Sequence, residues 1–375
     1  MSERYLRNNM IDWFDQSTIK NINAIVIGAG AIGNEVIKNL ALMGVGNIQI
    51  YDLDTIEIHN LTKSVLFREE DVGQKKVDVA AKRARELDPN INVVAIHGDI
   101  FKELNLNDIK NSDIVFCCLD NFETRLRANQ MCLLTKKTMV NMSIDSRFAS
   151  IEIFPYNDDE IVCYECNLPL SAYERMSKRY SCGHLKKITY IEKKIPTTIM
   201  TSAVSASIGV SLGLQKIAGK EDVNISSKKV FVDTRLGTSS LNHLTHNPDC
   251  PTCVTYNNKT HLIGTSKKKV GDINDIRLDL AENLTIRLPE TIITNIYCEK
   301  CSYKPDDFQV KSSRDFTDEI YNCPNCGEKS VKVEIKDDLS MEEFTLLGLH
   351  KKIFDIVPFF FVLSAGIFFC YYEEK

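Results

Sequence analysis

The chain lacks a surplus of positive charge: 46 Lys and Arg stand against 51 Asp and Glu, a net of −5. That balance gives no electrostatic reason to expect nucleic acid as a partner. Its start, MSERYLRNNMIDWFDQS, has neither the basic end nor the apolar core of a secretory leader, so a cytoplasmic location is the expectation. Internal repeats are missing too, apart from a doubled Cys-x-x-Cys theme. Long uncharged runs are scarce. One of them, Ile356 to Tyr372 (IVPFFFVLSAGIFFCYY), approaches the ~20 residues of a membrane span. Pro358 and Ser364-Ala365-Gly366 interrupt it as a helix, and a three-residue loop with glycine suits a buried β-hairpin. A hairpin is therefore expected there rather than a membrane anchor.

At 375 residues the chain can hold one large domain and a smaller one. The pattern predicts a helix over Asn9 to Ser17, then a strand–loop–helix–strand unit, AIVIGAGAIGNEVIKNLALMGVGNIQIYDLD, from Ala24 to Asp54. A helix over Gly73 to Asp88 and a strand over Asn92 to His97 follow. Asp113 to Leu119 is apolar throughout, as a central parallel strand should be. Next come a helix (Asn121 to Thr135), a strand (Thr138 to Met142), an antiparallel pair through Ile151 to Val162, and a small-residue core helix at Thr201 to Ala218. Alternating β and α elements predict an α/β fold with a doubly wound, Rossmann-like, mostly parallel sheet. The domain boundaries read as 1–255, a solvated linker over 256–273 carrying Lys267-Lys268-Lys269, and a small β-rich module over 274–375.

Gly28, Gly30 and Gly33 let a backbone approach a phosphate closely, and the helix that follows offers free N–H donors to the anion. Asp52, at the end of the second strand, is placed to hold ribose hydroxyls. Dehydrogenases and adenylating enzymes share this much. The discriminating residues come next: Asp52-Leu53-Asp54, His59-Asn60-Leu61-Thr62-Lys63, Gly73-Gln74-Lys75-Lys76 and Cys118-Leu119-Asp120-Asn121.

With these blocks the sequence resembles the adenylating domain of the ubiquitin-activating superfamily, whose pattern runs G-x-G-x-x-G, D-x-D, N-L-x-R, G-x-x-K and x-x-D-N. The resemblance covers roughly Arg4 to Cys253. A dehydrogenase needs none of the blocks after Asp52, so the resemblance implies ATP rather than a dinucleotide. It also implies roles. Gly28, Gly30 and Gly33 lie against the phosphates, and Asp52 binds ribose. Asn60, Lys63 and Lys76 reach the triphosphate, while Asp120, beside Asn121, supports Mg²⁺. Arg7 matches an arginine that reaches the γ-phosphate across a homodimer interface. One position departs from the pattern: Lys63 stands where the family has arginine, keeping the charge and losing the bidentate fork. Either Lys63 serves as a point charge or a neighbour such as Arg68 takes over.

Thirteen cysteines are present, and eight fall into four Cys-x-x-Cys pairs, which suits metal-bound thiolates better than disulfides. Cys163 and Cys166 with Cys250 and Cys253 predict one tetrahedral zinc site, and Cys298 and Cys301 with Cys323 and Cys326 a zinc ribbon. In the resembled family the first such zinc pins a crossover segment to the end of the domain. Cys117, Cys118 and Cys132 lie on apolar faces and read as core; Cys370 has no assigned role. Cys182, in Lys178-Arg179-Tyr180-Ser181-Cys182-Gly183-His184, lies in the crossover upstream of Pro196-Thr197-Thr198. Conjugation-type members carry a thioester-forming cysteine before such a P-T-T stretch, although the gap is longer here. Arg179, Lys186 and Lys187, with His184 close by, would favour its thiolate; the alternative is a packed thiol.

The expected function is activation of the C-terminus of a ubiquitin-like protein with a glycine-ended tail. ATP and Mg²⁺ would drive it, two Zn²⁺ sites would support the fold, and a conjugating enzyme would receive a thioester formed on Cys182. The alternative is a sulfur-carrier adenylyltransferase of the thiamine or molybdopterin type, which has no thioester step.

Overall fold

The computed structural model describes residues 3–156, 161–177, 196–220, 226–256, 260–265, 284–306, 308–315, 322–328, 330–364 and 367–374. The chain divides into two compact units. One comprises Met1–Leu104, Asp108–Leu168 and Lys193–Asn257; the other comprises Asn105–Asn107, Pro169–Glu192 and Asn258–Lys375.

Among the described residues before 256 the α-helices are α1 (Gln16–Ile19), α2 (Ala31–Met43), α3 (Lys76–Leu87), α4 (Ile100–Glu103), α5 (Leu106–Lys110), α6 (Phe122–Thr135), α7 (Leu170–Ser177), α8 (Ile199–Ala218) and α9 (Pro251–Thr255). The first unit is built on strands β1 (Asn23–Ile27), β2 (Asn47–Asp52), β3 (Asn92–His97), β4 (Ile114–Cys117), β5 (Thr138–Ile144), β6 (Phe148–Phe154), β7 (Lys228–Asp233) and β8 (Thr238–His243). They form one sheet in the order β3-β2-β1-β4-β5-β6-β7-β8. Pairing is parallel from β3 through β5 and antiparallel from there to β8.

Side-chain alternation along β5 shows how the sheet is covered on both faces. Val140 and Met142 join the apolar cluster that includes Ala206, Val210 and Leu214 of α8, while Asn141, between them, meets Arg125 of α6. The small residues of α8 permit close packing: a β-carbon on Gly209 would lie 2.5 Å from Met142 Sδ. Cys117, Cys118 and Cys132 are buried, as their apolar neighbours require.

One expectation is corrected. The continuous helix over Asn9 to Ser17 is instead a short 3₁₀ turn, Asn8–Met10, followed by α1. The Asp15 carboxylate accepts the Thr18 N–H at 2.8 Å and so starts a new helix there, as N-caps do. Of the antiparallel pair expected through Ile151 to Val162, the described residues hold the single strand β6, which lies between β5 and β7.

The second unit is a six-stranded sheet of β9 (His261–Thr265), β10 (Thr285–Cys298), β11 (Lys311–Ser312), β12 (Val331–Ser340), β13 (Phe359–Ser364) and β14 (Ile367–Glu373). The final apolar run is the expected hairpin, with Phe359 opposite Tyr372 and Ser364 opposite Ile367. Phe360 stacks on Tyr371 within a core that also holds Ile286, Phe344 and Ile353. Strand β9, parallel to β14, lies inside the stretch read as a solvated linker. Among the described residues, no helix is long and apolar enough to cross a membrane.

Candidate functional site

From β1 the sheet extends through β2 on one side and β4 on the other, and a crevice opens at the carboxyl ends of the strands where order reverses in this way. The glycine turn, Asp52 and the Leu119–Asn121 turn follow β1, β2 and β4, so the sheet itself gathers them.

Gly28 has φ +96°, and a β-carbon there would sit 2.7 Å from the Cys118 carbonyl oxygen. Only glycine allows the turn to lie so close to the end of β4. At Gly30 the situation reverses. It is the N-cap of the 13-residue α2, no side chain caps it, and a β-carbon would meet nothing within 4 Å. Uncapped N–H groups beside open space are what a phosphate oxygen needs. Gly33 lies in the first turn of α2, against the Gly28 carbonyl.

Asp52 holds the turn in shape: Oδ2 accepts the Ala29 N–H at 2.6 Å and Oδ1 the Asp54 N–H at 2.8 Å. Burial raises its carboxyl above the usual range, with Lys76 and the two N–H donors opposing the rise. Asn34, fully buried, donates to the Ala29 carbonyl at 2.7 Å and accepts the Leu66 N–H at 3.0 Å. It thereby joins the glycine turn to the Asn60–Phe67 loop.

Lys76 opens α3 with its side chain largely buried, and its Nζ lies 2.7 Å from Asp54 Oδ2. The Asn60 carbonyl oxygen Oδ1 accepts the Glu57 N–H at 2.9 Å, so this side chain fixes its own loop. Lys63 Nζ donates to Thr197 Oγ1 at 3.2 Å, joining the nucleotide motif to the P-T-T stretch. Arg68, the other candidate for the missing family arginine, donates to the Val65 and Phe67 carbonyls of its own loop at 2.9 and 3.0 Å.

Asp120 is exposed and, among the described residues, has no hydrogen-bond or ion-pair partner. Asn121 caps α6 by accepting the Thr124 N–H at 2.9 Å. Arg7 is exposed on the N-terminal segment, which the Tyr5 hydroxyl ties to Asp88. Cys182, with Arg179, His184, Lys186 and Lys187, lies outside the described residues.

Gly28, Gly30, Asp52 and Asp120 thus stand at or just beyond the carboxyl ends of the neighbouring strands β1, β2 and β4, and Lys76 pairs with Asp54 two residues after Asp52; among the described residues no hydrogen bond or ion pair joins Arg7 to them. The structure adds roles for three residues to which the sequence reading gave none: Asp54, Asn34 and Arg125. Asp54 had a signal, being the second acid of the D-x-D block.

Four sulfurs held tetrahedrally at about 2.3 Å from a zinc ion are ~3.8 Å apart. At the first cluster Cys163–Cys250 and Cys166–Cys253 are 3.5 Å apart and Cys163–Cys166 3.8 Å. At the second, Cys298–Cys326 and Cys301–Cys323 are 3.7 and 3.6 Å apart. In each cluster all four Sγ atoms lie within 4.8 Å of one another, so both donor sets fit Zn²⁺.

Residues 4–252 match the ThiF family. SUMO-activating enzyme subunit 2 of Dictyostelium discoideum is 35% identical over 170 residues, 44% of this chain and 25% of that protein. The adenylyltransferase and sulfurtransferase MOCS3 of Caenorhabditis briggsae is 29% identical over 67% of this chain and 60% of its own length. The sulfur carrier protein adenylyltransferase of Thermus thermophilus is 32% identical over 41% of this chain and 58% of its own. This chain thus spans between a quarter and three fifths of the length of these relatives. Among solved structures, E. coli MccB with ATP aligns with TM-score 0.53 at 23% identity, over 68% of this chain and 75% of that one. That likeness concerns the fold.

Proposed function

The chain belongs to the ThiF family, and from that premise we propose that it is an ATP-dependent adenylyltransferase acting on the C-terminal carboxylate of a ubiquitin-like protein. The observation that supports the reading is an uncapped glycine turn bonded to Asp52 at a strand-order switch point, with Lys76 close enough to act on Asp52; Asp120 follows the adjacent strand β4.

In this reading the ATP phosphates lie over Gly30 and the first N–H groups of α2. Asp52 holds the ribose, and Asn60, Lys63 and Lys76 face the triphosphate. The glycine-ended tail enters the crevice, and its carboxylate oxygen attacks the α-phosphorus. The bond from that phosphorus to the bridging oxygen breaks, and pyrophosphate leaves with the electron pair. Anion attacks anion in this step, so fixed cations that need not reorganise lower the barrier. Asp120 would hold Mg²⁺, which when bound would further neutralise phosphate charge. Arg7 of a second copy completes the cation set in a homodimer. Zn²⁺ on Cys163, Cys166, Cys250 and Cys253 ties the start of the crossover to the end of the first unit; a second Zn²⁺ on Cys298, Cys301, Cys323 and Cys326 organises the second unit.

In a second step the Cys182 thiolate attacks the acyl carbon of the adenylate. The bond from that carbon to the AMP oxygen breaks, AMP departs, and the acyl group rests on sulfur until a conjugating enzyme accepts it. The sulfur-carrier reading uses every residue named except Cys182, and the MOCS3 and Thermus relatives support it. The test is ATP–pyrophosphate exchange by the purified chain with candidate carriers. Carrier-dependent exchange is expected, and none with any glycine-ended carrier would overturn the adenylation reading. A thiol-sensitive carrier adduct lost in Cys182→Ala selects conjugation; a thiocarboxylated carrier without such an adduct selects sulfur transfer.

A further inference from the structure

Arg125 stands in the first turn of α6 and is 6% exposed. A buried guanidinium is costly to desolvate unless a carboxylate or a full set of hydrogen bonds offsets it. Among the described residues its hydrogen-bond partners are neutral: the Leu119 carbonyl and Asn141 Oδ1, the latter at 2.5 Å. The balancing charge comes at one remove. Asn141 Nδ2 donates to Glu152 Oε2 at 2.7 Å, and Glu152 pairs with Lys229 at 3.2 Å. A polar chain thus runs from the Leu119 carbonyl through α6 and across β5, β6 and β7. Such chains fix geometry, since each member is oriented by the next.

Leu119 directly precedes Asp120, whose own side chain has no partner among the described residues. On the far side of Asp120, Asn121 is anchored through Thr124. Arg125 therefore holds one shoulder of the turn and the α6 cap the other. We infer that Arg125 is a positioning residue that sets the direction of Asp120 through the Leu119 carbonyl, with Asn141 and Glu152 keeping the guanidinium in register. The inference rests on reading Asp120 as the magnesium-holding acid.

The test uses the full chain and follows ATP binding by calorimetry across a series of Mg²⁺ concentrations. In Arg125→Gln, the Mg²⁺ concentration for half-maximal ATP binding rises about 10- to 100-fold, the range typical when a residue that orients a metal ligand is lost. Asp120→Asn moves it the same way. ATP affinity at saturating Mg²⁺ stays near that of the unaltered chain, and Arg125→Lys falls between. Asn141→Ala shifts the Mg²⁺ requirement in the same direction by a smaller factor, and it decides the matter should Arg125→Gln not fold. An unchanged Mg²⁺ requirement in Asn141→Ala and in any folded Arg125 variant overturns the inference. So does an equal loss of affinity at every Mg²⁺ concentration, the signature of a purely structural residue. ATP binding by the unaltered chain that ignores Mg²⁺ overturns the reading of Asp120, and this inference with it, before any variant is made.

Discussion

Lys76 and Asp54 form an ion pair, Nζ to Oδ2 at 2.7 Å, in which the lysine is largely buried and the acid half-exposed. The second acid of the D-x-D block thus holds the cation that the G-x-x-K block supplies. Lys76→Ala should lower carrier-dependent pyrophosphate exchange about 100- to 1,000-fold, the cost of removing one preorganised stabiliser. Asp54→Ala should cost less, since it frees the lysine without removing it. Equal exchange rates in Lys76→Ala and the unaltered chain would refute the phosphate role.

Gly28 and Gly30 should separate folding from binding. Gly28→Ala meets both a positive φ and the Cys118 carbonyl, and should destabilise by about 1–3 kcal/mol. Gly30→Ala meets nothing within 4 Å, so its melting temperature should hold while its methyl group occupies the proposed phosphate position and weakens ATP binding. Thermal melts paired with ATP titration check both.

Metal analysis should find two zinc ions per chain, one for each cysteine cluster, and one in Cys250→Ser. Structural zinc brings roughly 10–16 kcal/mol of apparent binding energy in small domains, so a strong chelator should lower the melting temperature markedly. A metal-free chain that melts unchanged would remove both sites.

Arg147 makes a two-pronged pair with Asp233, its Nε 2.9 Å from Oδ1, and this bond holds the Asp233 carboxyl down at about 2. A depressed carboxyl stabilises the fold above its unfolded pKa of about 3.9, and that contribution fades as pH falls toward 2. Arg147→Gln should flatten the slope of stability against pH between about 4 and 2. The Arg147 side chain is 37% exposed, so 1 M salt should weaken the effect. Acid titrations followed by circular dichroism would show either outcome.

Cys182→Ala should leave pyrophosphate exchange intact and abolish the thiol-sensitive adduct, because attack on the adenylate follows its formation. An adduct that persists would assign the acyl acceptor elsewhere or remove the step.

The parallel half of the sheet was legible because its signals are local. Glycine spacing, an apolar run of strand length and an acid at a strand end need no distant partner to be recognised. The start of α1 was not, since a single carboxylate, Asp15, outweighs a helical-looking pattern. Strand β8, TSSLNH, is exposed along its whole length and carries no apolar alternation to find. Strand β9 exists through its pairing with β14, over a hundred residues later in the chain, which no window near His261 contains. Arg125 escaped notice for the same reason: its meaning depends on Leu119, Asn141 and Glu152 arriving from three elements.

The placement of β14 between β13 and β9 makes the last strand of the second unit an interior one. Its neighbours on both sides are translated earlier and must wait with open edges until residue 373 has left the ribosome. Long-range strand pairing of this kind is slow, and unpaired edges invite association between nascent chains. Ribosomes stalled before the Ile367 codon would therefore display an incomplete sheet, and low temperature or a chaperone that shields strand edges should raise the yield of intact protein.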